Sequence, residues 1–259
     1  MQNRRAQKHK MKIIAIYNIK GGVGKTATAV NLAYLASVNR FYSLIWDLDP
    51  QGAASFYFRV SAKTIHKGKK LLHDMAKLDD EVKATNYAYL DLIPADFSYR
   101  NFDLVLDEFN NPVTRLFKVL KQFRDQYDFV FLDCPPGITL LSENIFRAAD
   151  IILVPTIPTT LSLRTLDQLL KFFRKKHIED TRVLPFFSMV DRRKQMHRYI
   201  TENPPKLACD FMQHAIPYAS DIERMGVERD AVAEFRKLRP AALAYDALWQ
   251  ELVTHLKQG

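Results

Sequence analysis

Cysteine is almost missing from this chain: Cys134 and Cys209 are the only two in 259 residues, and neither has a second cysteine at CxxC spacing. A disulfide framework and a cysteine-rich zinc site are both unsupported. Long apolar runs are missing too. The stretch that follows the basic N-terminus extends only from Ile13 to Ile16 before Tyr17-Asn18, too short for a secretory leader, and no run approaches membrane-spanning length. Internal repeats, low-complexity tracts and heptad arrays are absent. Acids are missing from the first twelve residues, which carry Arg4, Arg5, Lys8, Lys10 and Lys12. Residues 1–11 therefore read as a basic, flexible arm ahead of the first strand, either a nucleic-acid contact or a solubilising tail. A cytoplasmic location is expected.

With 47% hydrophobic residues the chain can bury one large core, and no second domain is required over 12–259. Apolar runs at 13–16, 44–46, 129–132, 151–154 and 183–187 alternate with helical patterns such as 161–176 and 240–257. This rhythm predicts a single α/β domain with a mostly parallel twisted sheet covered by helices on both faces. The 38 Lys+Arg exceed the 29 Asp+Glu, giving a formal charge of +9, so polyanions are the expected partners.

Lys20-Gly21-Gly22-Val23-Gly24-Lys25-Thr26-Ala27 lies between the first apolar run and a helical stretch. The strict phosphate-loop pattern G-x-x-x-x-G-K-[ST] fails, because Ile19 stands where it needs glycine. The physical apparatus is nevertheless present. Gly21, Gly22 and Gly24 can leave backbone N–H groups facing phosphate oxygens, and the helix that follows adds the positive end of its dipole. Lys25 would meet the β/γ-phosphates and the Thr26 hydroxyl would join a Mg²⁺ shell. Lys20 is a second cation beside the same phosphates, either a solvated loop charge or one that neutralises charge developing as the γ-phosphate leaves.

Two further segments end apolar runs in acids. Ser43-Leu44-Ile45-Trp46-Asp47-Leu48-Asp49-Pro50-Gln51-Gly52 is a strand leading to two carboxylates and a turn, and Phe129-Val130-Phe131-Leu132-Asp133-Cys134-Pro135-Pro136-Gly137 is a strand ending at Asp133. An acid at the C-terminal end of a strand in an α/β protein faces the ligand crevice, where it can hold magnesium or position a water.

The KGGVGKT run, the DxDPQG segment and the DCPPG segment occur together in the order found in the ParA/MinD family of partitioning ATPases, and the chain resembles that family, most of all its small ParA members without an N-terminal helix-turn-helix domain. The resemblance implies a P-loop NTPase fold using ATP and Mg²⁺. It implies that Lys20 reaches the phosphates of the other subunit in a nucleotide-sandwich homodimer, that Asp49 orients the attacking water, that Asp47 supports it at the metal, and that Asp133 meets Mg²⁺ through water. DCPPG resembles switch II, which senses the γ-phosphate. Arg193 matches an arginine that holds the DNA backbone; Arg192, Lys194 and Arg198 join it on charge and proximity. Pro217 and Tyr218 fall in the segment that lies against adenine, where Tyr218 can stack on a base or pack on the core. Tyr89 to Ala95 resembles the family's central strand and its Pro-containing turn. Ala27, Trp46 and Ala53-Ala54-Ser55 depart from the family pattern.

The implied function is an ATPase that binds non-specific DNA as an ATP-bound dimer and is released when a ParB-like or other cargo adaptor stimulates hydrolysis, distributing a plasmid, chromosome region or protein assembly over the nucleoid. Two alternatives stay open. A MinD-like membrane-surface switch would need an amphipathic basic anchor, and 244–257 carries Asp246 and Glu251 with Lys257 as its clear cation, so no stable membrane anchor is expected. A non-enzymatic nucleotide-gated scaffold would not need Asp49 and Asp133 together. An iron-protein relative is disfavoured, because Cys209 has no ligand-like context. Residues 55–89 are expected to supply helices covering one sheet edge, with Phe56-Tyr57-Phe58 in the core.

Overall fold

The computed structural model describes residues 10–60 and 67–257. Of the basic arm expected over 1–11, only Lys10 and Met11 fall among the described residues, and Met11 packs into the core at 9% exposure.

The apolar runs become strands β1 (Lys12–Ile16), β2 (Ser43–Asp47), β3 (Lys83–Ala84), β4 (Leu90–Ile93), β5 (Phe129–Asp133), β6 (Ile151–Thr156) and β7 (Arg182–Phe187). They form one sheet in the order β3-β4-β2-β5-β1-β6-β7, parallel except for the β3–β4 pair. Every residue of β2, β5 and β6 is buried, as unbroken apolar runs require when both faces of a parallel sheet are covered.

The helices are α1 (Lys25–Val38), α2 (Ala53–Tyr57), α3 (Gly68–His73), α4 (Met75–Asp80), α5 (Phe102–Asp107), α6 (Arg115–Leu120), α7 (Leu140–Ala148), α8 (Thr160–Lys175), α9 (Gln195–Glu202), α10 (Ser220–Glu228), α11 (Val232–Phe235) and α12 (Pro240–Lys257). Strand alternation divides the core in two. Ile13 and Ala15 face a cluster built with α7, α8 and residues of α3, α5 and α6, whereas Ile14 and Ile16 face one built with α1, α11 and α12. In α12 the buried residues Ala241, Ala242, Tyr245, Leu248, Trp249 and Leu252 recur at helical spacing. Trp249 meets the rings of Phe41, Phe129 and Phe131 at centroid distances of 6.1, 5.4 and 6.5 Å, so this helix is fastened to the sheet through its aromatic face.

Three sequence expectations are corrected by the fold. The strand within 89–95, β4, is not central; it lies one position in from an edge, and β5 occupies the middle of the sheet. The edge beyond β4 is closed by the two-residue antiparallel β3, too short to give an alternation signal. The aromatic trio also divides: Phe58 is buried, while Phe56 is 47% exposed with the Arg229 guanidinium 4.4 Å from its ring centroid. The short α2 offers only one inward face, and Phe56 falls on the other.

Candidate functional site

The chain order reverses around β1: β2 and β4 lie to one side of it, β6 and β7 to the other, and β5 returns to fill the place between β1 and β2. Crevices at such a switch point, outside the carboxyl ends of the strands, are where open α/β sheets bind ligands. The KGGVGKT loop leaves β1 at this end and runs into α1. Gly22 and Gly24 adopt φ of 70° and 92°, left-handed conformations that disfavour any side chain. A Cβ on Gly24 would also stand 3.1 Å from Ser188 Oγ, so β7's exit presses directly on the loop. Asn18 braces the loop from below: its Oδ1 accepts the Lys20 N–H at 2.9 Å and its Nδ2 donates to the Pro155 carbonyl at 2.9 Å. Thr28 Oγ1 returns to the Gly24 carbonyl at 2.8 Å.

Lys25 is 7% exposed, and its ammonium donates to the Lys20 carbonyl at 3.0 Å, so the two lysines of the motif are joined through one hydrogen bond. Burial pulls the Lys25 pKa down, and Asp133, Cys134 and Asp49 oppose that shift. A phosphate beside it would oppose that shift further and favour the charged form.

The acids assemble through strand pairing. Asp47 at the end of β2 and Asp133 at the end of β5 are register partners, and Ile16 at the end of β1 pairs with Asp133 from the other side. Asp47 Oδ2 accepts the Ser55 N–H at 2.8 Å and the Ser55 hydroxyl at 2.7 Å, while Oδ1 has no hydrogen-bond partner among the described residues. Both oxygens of Asp133 are buried and unpartnered in the same sense, although the Thr26 hydroxyl lies near enough to favour its ionised form. Burial pushes the Asp47 carboxyl up to about 6, beyond what its two Ser55 bonds can offset, and pushes Asp133 up as well, with Asp47 beside it. Three orphaned carboxylate oxygens beside a lysine and a threonine hydroxyl suit a hard divalent cation, which takes oxygen ligands and removes the like-charge penalty. Thr26, Asp47 and Asp133 are the residues that would hold it. Asp49 sits half-buried in the turn that follows, its Oδ1 accepting the Gln51 N–H at 3.0 Å and its carbonyl accepting the Gly52 N–H at 2.9 Å. Its carboxylate is thus aimed by a local turn rather than buried with the pair.

Pro217 and Tyr218 come to the same end of the sheet through a parallel bridge from Val190 to Pro217, with Tyr218 N–H donating to the Val190 carbonyl at 3.0 Å. Tyr218 is 50% exposed and its hydroxyl donates to Glu223, so its ring is not packed away in the core. Arg193 does not project alone: its Nε and Nη2 grip the two oxygens of Asp191 at 2.9 and 3.0 Å, an arrangement that holds the Asp191 carboxyl at about 2. Arg192, Lys194 and Arg198 are exposed around it, with Arg198 donating to the Arg192 carbonyl at 3.0 Å.

Sequence reading missed Asn18, Ser55 and Ser188. Ser55 was visible only as a departure in the turn after DxDPQG, and no local pattern signals that Ser188 abuts Gly24. A cavity of about 860 Å³, lined by Met11, Phe117, Arg147, Asp150 and Thr181 among others, opens at the opposite end of the strands and shares no residue with these motifs.

A family profile described as an AAA domain (AAA_31) matches residues 11–183. The sporulation initiation inhibitor protein Soj of Bacillus subtilis is 34% identical over 201 residues, covering 75% of this chain and 79% of Soj. The chromosome partitioning protein ParA of Myxococcus xanthus is 37% identical over 161 residues, 61% of this chain and 56% of that protein, so the matched region spans little more than half of that relative. Among solved structures, an ATP complex of a Cyanothece McdA variant superposes with a TM-score of 0.80 at 21% identity, covering 94% of this chain and 97% of that one. The phosphate-type loop, the paired strand-end acids, the sheet order and these likenesses converge on one assignment: the chain belongs to the ParA/MinD-type family of AAA-domain P-loop proteins.

Proposed function

We propose that this protein is an ATP-dependent partitioning or positioning ATPase that works with ATP and Mg²⁺. The observation that carries the reading is the register pairing of Asp47 with Asp133 beside Lys25, which gathers unpaired carboxylate oxygens, a cation and the loop amides at one switch point. The family relatives named above, partitioning proteins among them, support it.

In this reading Lys25 and the loop N–H groups bind the β/γ-phosphates, and Pro217 and Tyr218 lie against the base. Magnesium supplies charge neutralisation between the phosphates when bound. Asp49 positions the attacking water, and Lys20 neutralises developing charge on the nucleotide of a second copy across a sandwich dimer. Turnover is slow without a partner, because the described residues offer positioning and charge but no evident arginine finger. Nucleotide favours the dimer, which presents Arg192, Arg193, Lys194 and Arg198 as a phosphate-binding surface insensitive to DNA sequence. A cargo adaptor accelerates hydrolysis and frees the protein from DNA.

The membrane-surface alternative gains nothing from α12, whose apolar residues Leu248, Trp249 and Leu252 are spent on the core, and among the described residues no helix is long and apolar enough to cross a membrane. The test is retention on non-specific DNA with ATP, with ADP, and with Lys20→Ala plus ATP. Retention is expected only in the first case; equal retention in all three refutes the coupling.

A further inference from the structure

Tyr17, the first residue after β1, is fully buried, yet it ends in a hydroxyl. That hydroxyl donates to the Gly137 carbonyl at 2.8 Å, and the Gly137 N–H donates to the Ile19 carbonyl at 3.0 Å. Both main-chain polar groups of one DCPPG residue are therefore tied to residues two positions apart at the entry to the phosphate loop. Gly137 itself has φ of 94°, and a Cβ there would meet nothing within 4 Å, so backbone conformation rather than space demands glycine. The Tyr17 ring also packs edge-on against Phe146 of α7, with centroids 4.7 Å apart.

The segment is held at its far end as well. Thr139 and Ser142 form a reciprocal cap at the start of α7, and the Leu141 N–H donates to Asp103 of α5 at 2.7 Å. Between the two anchors Ile138 stands 41% exposed. A displacement of Gly137 can reach α7 through the short span into its first turn and through Tyr17 itself, whose ring meets Phe146 and whose hydroxyl lies within hydrogen-bonding reach of Ser142. Burial pushes the Tyr17 phenol well above its ordinary range, so it remains a proton donor throughout the physiological pH range.

We propose, resting on the nucleotide-switch reading of the phosphate loop and the DCPPG segment, that Tyr17 is a positioning residue for the reaction: its hydroxyl holds Gly137 against the phosphate loop so that occupancy of the γ-phosphate position is registered by the DCPPG segment and passed to α7. The tether joins two segments that are 120 residues apart in sequence, and neither motif by itself predicts it.

Tyr17→Phe keeps the ring against Phe146 and deletes only the hydroxyl. Hydrogen-exchange mass spectrometry on a peptide covering 137–141 is compared in wild type and variant, without nucleotide, with Mg-ADP and with Mg-AMPPNP, alongside steady-state turnover. In the variant we expect exchange of this peptide about tenfold faster without nucleotide, loss of the AMPPNP-versus-ADP difference, and kcat lowered about tenfold with KM within twofold. Peptides from β6 and α8 should exchange as in wild type. Wild-type exchange and wild-type kcat in Tyr17→Phe overturn the proposal. If the variant does not fold, wild type decides: equal exchange of 137–141 with Mg-ADP and Mg-AMPPNP overturns it. If the wild type binds no nucleotide, the ATPase reading fails, and the nucleotide-free comparison still tests the tether.

Discussion

Asp47 and Asp133 stand directly opposite one another in the β2–β5 pairing, 0% and 1% exposed, at the end of the sheet where Lys25 enters its helix. Two carboxylates withdrawn from water in adjacent strands cannot both ionise cheaply, and the arrangement is favourable only when positive charge joins it.

That pairing makes stability depend on pH in a defined direction. The folded-state pKa of Asp47 is raised to about 6, so the stability it contributes is full below its unfolded value and is lost as pH climbs through about 6; the raised pKa of Asp133 makes its contribution fall with rising pH in the same direction. As far as these two groups decide it, the nucleotide-free protein should therefore melt at a lower temperature at pH 7.5 than at pH 5. Asp133→Asn should raise Tm at pH 7.5 by about 2–4 °C, equivalent to about 1 kcal/mol, and flatten the pH dependence. Mg-nucleotide should stabilise wild type and not the variant. Scanning calorimetry across pH, with and without Mg-ATP, checks all three.

Asp49 is separated from that pair by its exposure and by its turn, where Oδ1 caps the Gln51 N–H. Its removal should leave nucleotide binding nearly intact. Asp49→Ala is expected to lower kcat for phosphate release by about 10²–10³-fold, with ATP affinity within about threefold. Single-turnover phosphate release and calorimetric titration separate the two effects; a loss confined to affinity would reassign Asp49.

Arg193 engages Asp191 through two hydrogen bonds, so in the proposed DNA-binding role a phosphate would have to compete with a carboxylate for it. The Arg193 side chain is exposed, and ion pairs at such a surface are worth little. Arg193→Ala should weaken binding to all DNA sequences alike and reduce the slope of log affinity against log salt by about 1. Asp191→Ala, which frees the guanidinium, should strengthen binding by about two- to fivefold. Fluorescence anisotropy with two unrelated duplexes over a salt series reads both outcomes.

Trp249 is 1% exposed and touches three phenylalanine rings under the sheet. Trp249→Ala should cost about 3–5 kcal/mol, whereas Trp249→Phe, which keeps most of the ring contact, should cost far less. Denaturant titration gives the two values. A small loss for alanine would mean that α12 is less firmly seated than its packing indicates.

What is legible in the chain's own residues is bounded by how local each signal is. Unbroken apolar runs predict β1, β2, β5, β6 and β7 because a strand covered on both faces has no polar side to show. The two-residue β3 and the divided face of α2 escape, since neither is long enough for periodicity to separate it from a turn. The central place expected for β4 is wrong for another reason: strand order depends on which runs pair across long loops, and periodicity within a run carries none of that.

The same boundary divides the site. The order of residues alone determined the glycines that permit left-handed turns, the lysines beside them, and acids at strand ends, because these are matters of backbone conformation and of neighbours in the chain. Only the tertiary structure decided that Asp47 faces Asp133, that Ser55 holds one of them, that Ser188 closes on Gly24, and that Tyr17 reaches Gly137. Most of those contacts join segments far apart in sequence. They arise from parallel pairing and close packing, which bring together groups that no local pattern connects.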